Sequence, residues 1–243
     1  MSADGSDVRQ LTTAWTEDYM DAIPEGEARG NTDPDVSPDG RYVVFTNLSG
    51  ANQESFILRL DLRTGEVLNL TSLTAGPVPV ADAKPRYSPD GSRIAFVSTV
   101  GGLTQVFVMD ADGTHVRQLT DDDYINLDPC WSPDGRWLAY TSYRGRELIE
   151  ELEHEGSITA RKVPMVDWYL VKLDTRTGEQ TVLTGKENSP VFRPVWSPEG
   201  SSIAYISGGR STQPDVFVVA TDGRDPHPLQ ITLLSKEEFV DWR

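Results

Sequence analysis

A four-residue turn motif recurs along the chain and constrains its fold more than any other feature. Ser-Pro-Asp-Gly occupies positions 37–40, 88–91 and 132–135, and Ser-Pro-Glu-Gly occupies positions 197–200. Proline sets φ for the first central residue of a type I turn, and glycine accepts the left-handed conformation that closes a hairpin. A β-rich run follows every copy, as in Tyr-Val-Val-Phe at 42–45. Each motif is therefore predicted to join two antiparallel strands.

Two further strands are predicted in every repeat. Apolar third strands occur at 56–60, 105–109, 168–173 and 215–219, and each is followed by a second glycine-containing turn. A fourth strand ends in Leu-Thr or Ile-Thr at 70–71, 119–120, 183–184 and 231–232. Repeated units of four short antiparallel strands are typical of β-propeller blades. The protein is predicted to be all-β, with four complete blades at about 33–71, 84–120, 128–184 and 193–232.

Both ends of the sequence repeat parts of a blade. Residues 1–12 match residues 109–120, and residues 240–243 match residues 129–132. We interpret residues 1–243 as a single partial propeller with partial-blade strands at 1–12 and 238–243. Unpaired strands of this kind favour self-association.

Composition limits the classes of partner. The 243 residues carry a formal net charge of −16, which argues against nucleic acid. This charge either keeps the protein soluble, the interpretation that we favour, or attracts a basic protein partner or a cation. No apolar run approaches the roughly 18 residues that a membrane helix needs. A single cysteine, Cys130, leaves no internal disulfide and no cysteine-based zinc site. Cys130 lies in an apolar strand beside Trp131 and is predicted to be a buried thiol.

The repeats resemble the TolB-type β-propeller family. The resemblance rests on Trp-Ser-Pro-Asp-Gly at 131–135, Val-Met-Asp-Ala-Asp-Gly at 108–113 and Val-Arg-Gln-Leu-Thr at 116–120. It covers nearly the whole sequence and implies a propeller of usually six blades that binds proteins in the cell envelope. A periplasmic or extracellular location would follow, although the sequence shows no signal peptide. The same repeat type occurs in propellers of prolyl oligopeptidase-like and tricorn-like proteases. The alternative is therefore a substrate-gating propeller without its hydrolase domain.

One face of the propeller is predicted to bind the partner. In an up-and-down blade, the second turn and the linkers between blades lie on the same face. The long segments fall there: 13–32, 72–83 and an insertion at 143–166, in which residues 147–153 are predicted to form a short amphipathic helix. The alternative is that these loops cover a gap or an edge strand. The predicted partner-binding residues are Trp15, Tyr19, Asn31, Asp33, Tyr124, Asn126, Asp128, Leu148, Ile149, Leu152 and Arg193.

No catalytic or metal site is predicted. Asp33 and Asp128 occupy equivalent positions at the entry of inner strands, where two carboxylates suit either a cation or hydrogen bonds to backbone amides. We favour the second interpretation. The sequence has no Gly-x-Ser-x-Gly elbow, no His-Glu-x-x-His motif and no P-loop. No cofactor is predicted, and the protein is interpreted as a non-enzymatic scaffold. The recurrent tryptophans Trp131, Trp196 and Trp242 are predicted to lie in the core.

Overall fold

The computed structural model describes residue 11 and residues 30–48, 54–71, 80–154, 157–187, 190–208 and 215–229. Within these ranges, the side chains of residues 146–154, 157–166 and 186–187 are not described. Trp15, Tyr19, Trp242 and the partial-blade strands predicted at 1–12 and 238–243 lie outside the described residues, apart from Leu11. Self-association through those strands therefore stays a prediction.

The described residues form four antiparallel sheets of four strands each, in strict chain order. The first two sheets contain β1 (Gly30–Val36), β2 (Tyr42–Leu48), β3 (Ser55–Asp61), β4 (Val67–Asn69), β5 (Asp82–Tyr87), β6 (Arg93–Ser98), β7 (Gln105–Asp110) and β8 (Arg117–Gln118). The third and fourth contain β9 (Ile125–Trp131), β10 (Trp137–His154), β11 (Ser157–Asp174), β12 (Gln180–Glu187), β13 (Val191–Trp196), β14 (Ser202–Ser207), β15 (Asp215–Ala220) and β16 (His227–Pro228). These sheets are propeller blades, which confirms the predicted fold class.

The repeated motif closes its turn with its own side chains. In the third blade, the Ser132 hydroxyl donates a hydrogen bond to Asp134 Oδ1 at 2.5 Å and accepts one from the Trp137 amide at 2.8 Å. The Gly135 amide donates to the Ser132 carbonyl at 2.9 Å. The Ser132 hydroxyl lowers the pKa of Asp134, because its hydrogen bond stabilises the ionised carboxylate. The same Ser-to-Asp bond occurs at 37–39 and 88–90.

The third and fourth blades are each held to the preceding blade by the tryptophan before the motif serine. Trp131 and Trp196 are only 6 % and 8 % exposed, as predicted for core residues. Their indole N–H groups donate to the carbonyls of Arg86 at 3.0 Å and Cys130 at 3.2 Å, each on the preceding inner strand. Cys130 is half-buried, less buried than the sequence predicts, and desolvation raises the pKa of its thiol. In the first blade the equivalent Val36 is 55 % exposed and packs against no other blade among the described residues.

The insertion at 143–166 is a two-stranded ribbon, and the prediction of a helix at 147–153 was wrong. β10 and β11 are 18 residues each and stay paired from Trp137 opposite Asp174 to His154 opposite Ser157. Pairing with the neighbouring strands stops earlier, at Tyr143 opposite Ile125 of β9 and at Asp167 of β11 opposite Glu187 of β12. We call the part from residue 145 to residue 166 the ribbon.

Strand pairing prevails over the helix for a physical reason. Extending an existing hairpin adds hydrogen bonds without a new nucleation step, whereas an isolated helix of seven residues is too short to be stable. The returning strand also carries the β-branched residues Ile158, Thr159, Val163 and Val166. In addition, the register sets Glu150 opposite Arg161.

Candidate partner-binding face

The ribbon projects from one face of the propeller. Because the strands run up and down within each sheet, the turns after the first and third strands lie on one face. The β10–β11 turn and the linkers between blades lie on the other, which we call the ribbon face. The inner strands contact one another in succession, β1 with β5, β5 with β9 and β9 with β13, so they surround the propeller axis.

Four charged residues occupy one equivalent position on the inner strands. Asp33, Lys84, Asp128 and Arg193 each precede a proline and have positive φ values of 52°, 56°, 54° and 50°. Each coincides with an irregularity in the pairing of the inner strand with the second strand. Non-glycine residues adopt this left-handed conformation at an energetic cost, and bulges use it to redirect a strand.

The charges at this position alternate in sign, and two of them meet. Lys84 Nζ donates a hydrogen bond to Asp128 Oδ1 at 2.5 Å, and the Arg193 amide donates to Asp128 Oδ2 at 3.3 Å. The Asp33 carboxylate accepts from the Thr32 hydroxyl at 3.0 Å. Asp128 thus accepts hydrogen bonds from an ammonium group and from a backbone amide. The bond from the amide is the kind that we favoured from the sequence. Among the described residues there is no group of three or more His, Cys, Asp or Glu that would hold a metal ion.

A buried polar network supports the linker between the second and third blades. Asn126 is fully buried, and its Nδ2 donates to Gln105 Oε1 and Asp122 Oδ1, both at 2.9 Å. Gln105 Nε2 donates to the carbonyls of Asp122 and Tyr124 at 2.9 Å. Asn126, predicted to contact a partner, therefore lies beneath the surface and fixes the course of the linker. Its Oδ1 is buried and has no hydrogen-bond partner among the described residues.

Arg144 lies between two tyrosine rings at the base of the ribbon. Its guanidinium carbon is 4.6 Å from the ring centroid of Tyr124 and 4.8 Å from that of Tyr169, and its Nε donates to Ser142 Oγ at 3.2 Å. We call Arg144, Tyr124 and Tyr169 the arginine clamp. Tyr124 was predicted as a partner-binding residue, whereas Arg144 and Tyr169 were missed.

An aromatic ladder runs from the base of the ribbon to the fourth blade. The rings of Tyr143 and Trp168 meet edge to face at 4.9 Å, and those of Trp168 and Phe192 at 5.0 Å. Phe192 is 37 % exposed and precedes Arg193, which is also exposed. Edge-to-face aromatic pairs add stability beyond their buried area, so this ladder fixes the ribbon base on the fourth blade.

The remaining predicted residues are dispersed. Asn31 lies in β1 and accepts a hydrogen bond at 2.8 Å from Nδ2 of its register partner Asn47. Leu148, Ile149 and Leu152 lie in the ribbon part of β10. The structure therefore places the ribbon residues and Tyr124 on the ribbon face, and Asp33, Asp128 and Arg193 on the inner strands.

Consecutive four-stranded antiparallel blades around an axis define a β-propeller protein. The family model of the TolB beta propeller domain matches residues 31–161, which is more than half of the sequence. The protein belongs to the TolB β-propeller domain family.

Relatives fall into two groups. An uncharacterized peptidase, YuxL of Bacillus subtilis, is 28 % identical over 222 residues, which span 82 % of this protein and 32 % of the relative. The Tol-Pal system protein TolB of Desulfosudis oleivorans is 44 % identical over 75 residues, 29 % of this protein and 17 % of that one. The protein therefore spans about a third or less of these relatives.

Solved structures share the fold. A putative TolB from Agrobacterium tumefaciens aligns with a TM-score of 0.61 at 21 % identity, covering 84 % of this protein and 63 % of that one. None of the described residues forms a helix that is long and apolar enough to span a membrane.

Proposed function

We propose that this protein is a non-catalytic scaffold that binds a protein partner through the ribbon face. The observation that carries the proposal is the ribbon itself, an extension of a single hairpin beyond the sheet to which it belongs. Among the described strands, neither ribbon edge has a neighbour beyond Tyr143 and Asp167. Such edges offer backbone donors and acceptors to an added strand, a common way of recognising polypeptides. A rigid propeller below the ribbon holds these edges in place.

The partner is expected to be basic overall. The protein carries a net charge of −16, and the outgoing ribbon strand has four glutamates between residues 147 and 153. Complementary charge accelerates association and selects against acidic partners and nucleic acid. Since the effect is electrostatic, the affinity falls as the salt concentration rises. The family resemblance further supports a location in the cell envelope, which fractionation of cells expressing the complete reading frame tests.

Removing the ribbon tests the proposal. Replacing residues 146–165 by Asn-Gly joins Gly145 to Val166, which are register partners, through a two-residue hairpin turn. The blade below the ribbon keeps its strands. The matched control is Arg63→Lys, which keeps the charge of an exposed turn residue on the opposite face. Proteins captured by the wild type are identified, and each purified candidate is titrated by calorimetry.

The expected result is a partner that binds the wild type and the control equally but binds the ribbonless variant at least about tenfold more weakly, a loss of about 1.4 kcal/mol. A partner that binds all three proteins with equal affinity would show that the ribbon is not the binding element. Equal melting temperatures of the three proteins exclude a folding defect as the cause.

A second function is favoured by the YuxL alignment. It extends over 82 % of this protein, whereas the TolB relative is matched over 29 %. In this second proposal, the protein is the substrate-gating propeller of a prolyl oligopeptidase-like serine peptidase, and the hydrolase domain is separate. The complete reading frame distinguishes the two proposals. A Gly-x-Ser-x-Gly elbow in an α/β-hydrolase segment, together with hydrolysis of peptide substrates, supports the peptidase. Its absence supports the scaffold.

A further inference from the structure

We propose that the arginine clamp binds a carboxylate of the polypeptide partner at the base of the ribbon. The inference rests on the proposed scaffold function and specifies the chemistry of one contact on the ribbon face. Its elements are a fixed guanidinium group, two free donors on that group and a protein charge that selects among anions.

The guanidinium group of Arg144 is held before any ligand arrives. Tyr124 and Tyr169 flank it at 4.6 and 4.8 Å, and Ser142 accepts the Nε hydrogen bond at 3.2 Å. A guanidinium group in contact with two aromatic rings and hydrogen-bonded to a hydroxyl group is restricted in its orientation. Because the side chain is already ordered, binding to that edge does not incur the usual cost of immobilising an arginine.

The terminal nitrogens of Arg144 differ from those of the other ring-stacked arginines. Each of the others donates a hydrogen bond from a terminal nitrogen to a carboxylate or carbonyl: Arg41 to Asp61, Arg59 to Ala111, Arg93 to Gly135 and Arg136 to Asp174. Within the described residues, Nη1 and Nη2 of Arg144 have no acceptor. The nearby Asp122 uses Oδ1 to accept from Asn126 and from the Tyr124 amide. Among the described residues, no acceptor occupies these two donors, and we infer that an external group does.

A carboxylate fits these donors better than a phosphate group does. The planar edge of a guanidinium group matches a carboxylate with two parallel hydrogen bonds. A phosphate group also accepts two bonds, but it carries a larger negative charge. The net charge of −16 repels a phosphate dianion more strongly than a carboxylate monoanion. The side chains of glutamate and aspartate share this chemistry with the C-terminus of a polypeptide.

The test follows the Nε–Hε NMR signal of Arg144, assigned with Arg144→Lys, during titration with small probes. N-acetylglutamate amide represents a glutamate carboxylate, and N-acetylalanine represents a C-terminus. N-acetylglutamine amide is the neutral control, and inorganic phosphate is the competing anion. We expect a saturable shift at Arg144 with at least one carboxylate probe, with half-saturation on the order of 10 mM for a single ion pair. The signal of Arg136, which already bonds Asp174, serves as the internal control.

Two variants examine the clamp. Tyr169→Phe keeps the ring and should bind as the wild type does, whereas Tyr169→Leu should bind at least about threefold more weakly, because one stacking face is lost. The proposal is overturned by a signal that does not saturate, by equal shifts at Arg136, or by tighter binding of phosphate. The ribbonless variant retains the clamp and should still bind the carboxylate probe. Retained probe binding together with unchanged partner affinity in that variant would refute the ribbon proposal but leave this one intact.

Discussion

The third turns of the blades provide a matched test of how the blades pack. A Cβ atom added at Gly113 would lie 2.8 Å from the Leu70 carbonyl oxygen, at the end of the preceding blade. A Cβ atom added at Gly65 would meet nothing within 4 Å. Both glycines have positive φ, 90° at Gly113 and 76° at Gly65. An alanine at either position therefore incurs the left-handed strain, and only Gly113→Ala also drives two blades apart.

The two costs can be separated. Left-handed strain costs about 1–2 kcal/mol, and the smaller entropy of the unfolded state with alanine returns about 0.4–1 kcal/mol, so Gly65→Ala should lose about 1 kcal/mol. At Gly113 the clashing atom is a backbone oxygen, which cannot rotate away. Overpacking of this kind costs about 1–3 kcal/mol more. Gly113→Ala should therefore lose about 2–4 kcal/mol in total.

Urea unfolding followed by tryptophan fluorescence and by circular dichroism measures both variants. Coincident transitions from the two signals justify a two-state free energy. Gly223→Ala and Gly178→Ala repeat the comparison, since an added Cβ would lie 3.0 Å from the Leu183 carbonyl oxygen at Gly223 and would meet nothing within 4 Å at Gly178. Losses that agree within about 0.5 kcal/mol in both pairs would refute the contact between these turns and the preceding blades.

Three more measurements follow from named contacts. Hydrogen bonds from Ser88 and Ser92 lower the pKa of Asp90 to about 2, so its stabilisation is complete above the ordinary pKa of an aspartate, about 4, and is lost as the pH falls toward 2. Asp90→Asn should lower the free energy of unfolding by less than about 1 kcal/mol above that window, because the group is mostly exposed. The difference in melting temperature between this variant and the wild type should then shrink as the pH falls through the window. Trp131→Phe leaves the Arg86 carbonyl without its hydrogen-bond donor, so the free energy of unfolding measured in urea should fall by about 2–3 kcal/mol. A loss under about 1 kcal/mol would contradict the hydrogen bond from the indole to this carbonyl. A double-mutant cycle of Lys84→Met and Asp128→Asn should give a coupling of about 0.5–1 kcal/mol, and zero coupling would disprove the ion pair.

The propeller blades could be predicted because their turns are local structures. In the second blade, Ser88 donates to Asp90 at 2.5 Å and accepts from the Arg93 amide at 2.9 Å. All of these groups lie close together in the sequence, so the motif and the residues just after it contain the whole turn. Four copies then define the strands between them, and the stacking of blades follows from strands that are apolar on both faces.

The ribbon could not be predicted from residues 147–153, because their apolar spacing fits two structures. Leu148 and Leu152 are four residues apart, a spacing that places side chains on one face of a helix and equally on one face of a strand. The register of β10 with β11, from Trp137 opposite Asp174 to His154 opposite Ser157, decides between them. That register depends on residues far apart in the sequence, which pair only as the third blade forms.

The arginine clamp was missed for a related reason. Tyr169 reaches Arg144 because Ser142 and Tyr169 are register partners, and Tyr124 reaches it because the buried Asn126 network turns the linker inward. Neither contact has a local sequence signature. Sequence reasoning placed Tyr124 on the ribbon face through the position of its linker, and no pattern identified the arginine that it stacks on.

One position on the inner strands combines backbone strain with side-chain charge in every described blade: Asp33, Lys84, Asp128 and Arg193. Glycine would adopt the left-handed conformation there without strain, yet all four blades carry a charged residue. Each of these residues therefore carries a left-handed strain of about 1–2 kcal/mol. At Lys84 and Asp128 the side chains form an ion pair between neighbouring blades, which recovers part of this cost. Arg193 has no such pair among the described residues and lies next to the exposed Phe192. The same backbone position therefore joins the second and third blades through an ion pair and leaves an exposed arginine at the fourth blade.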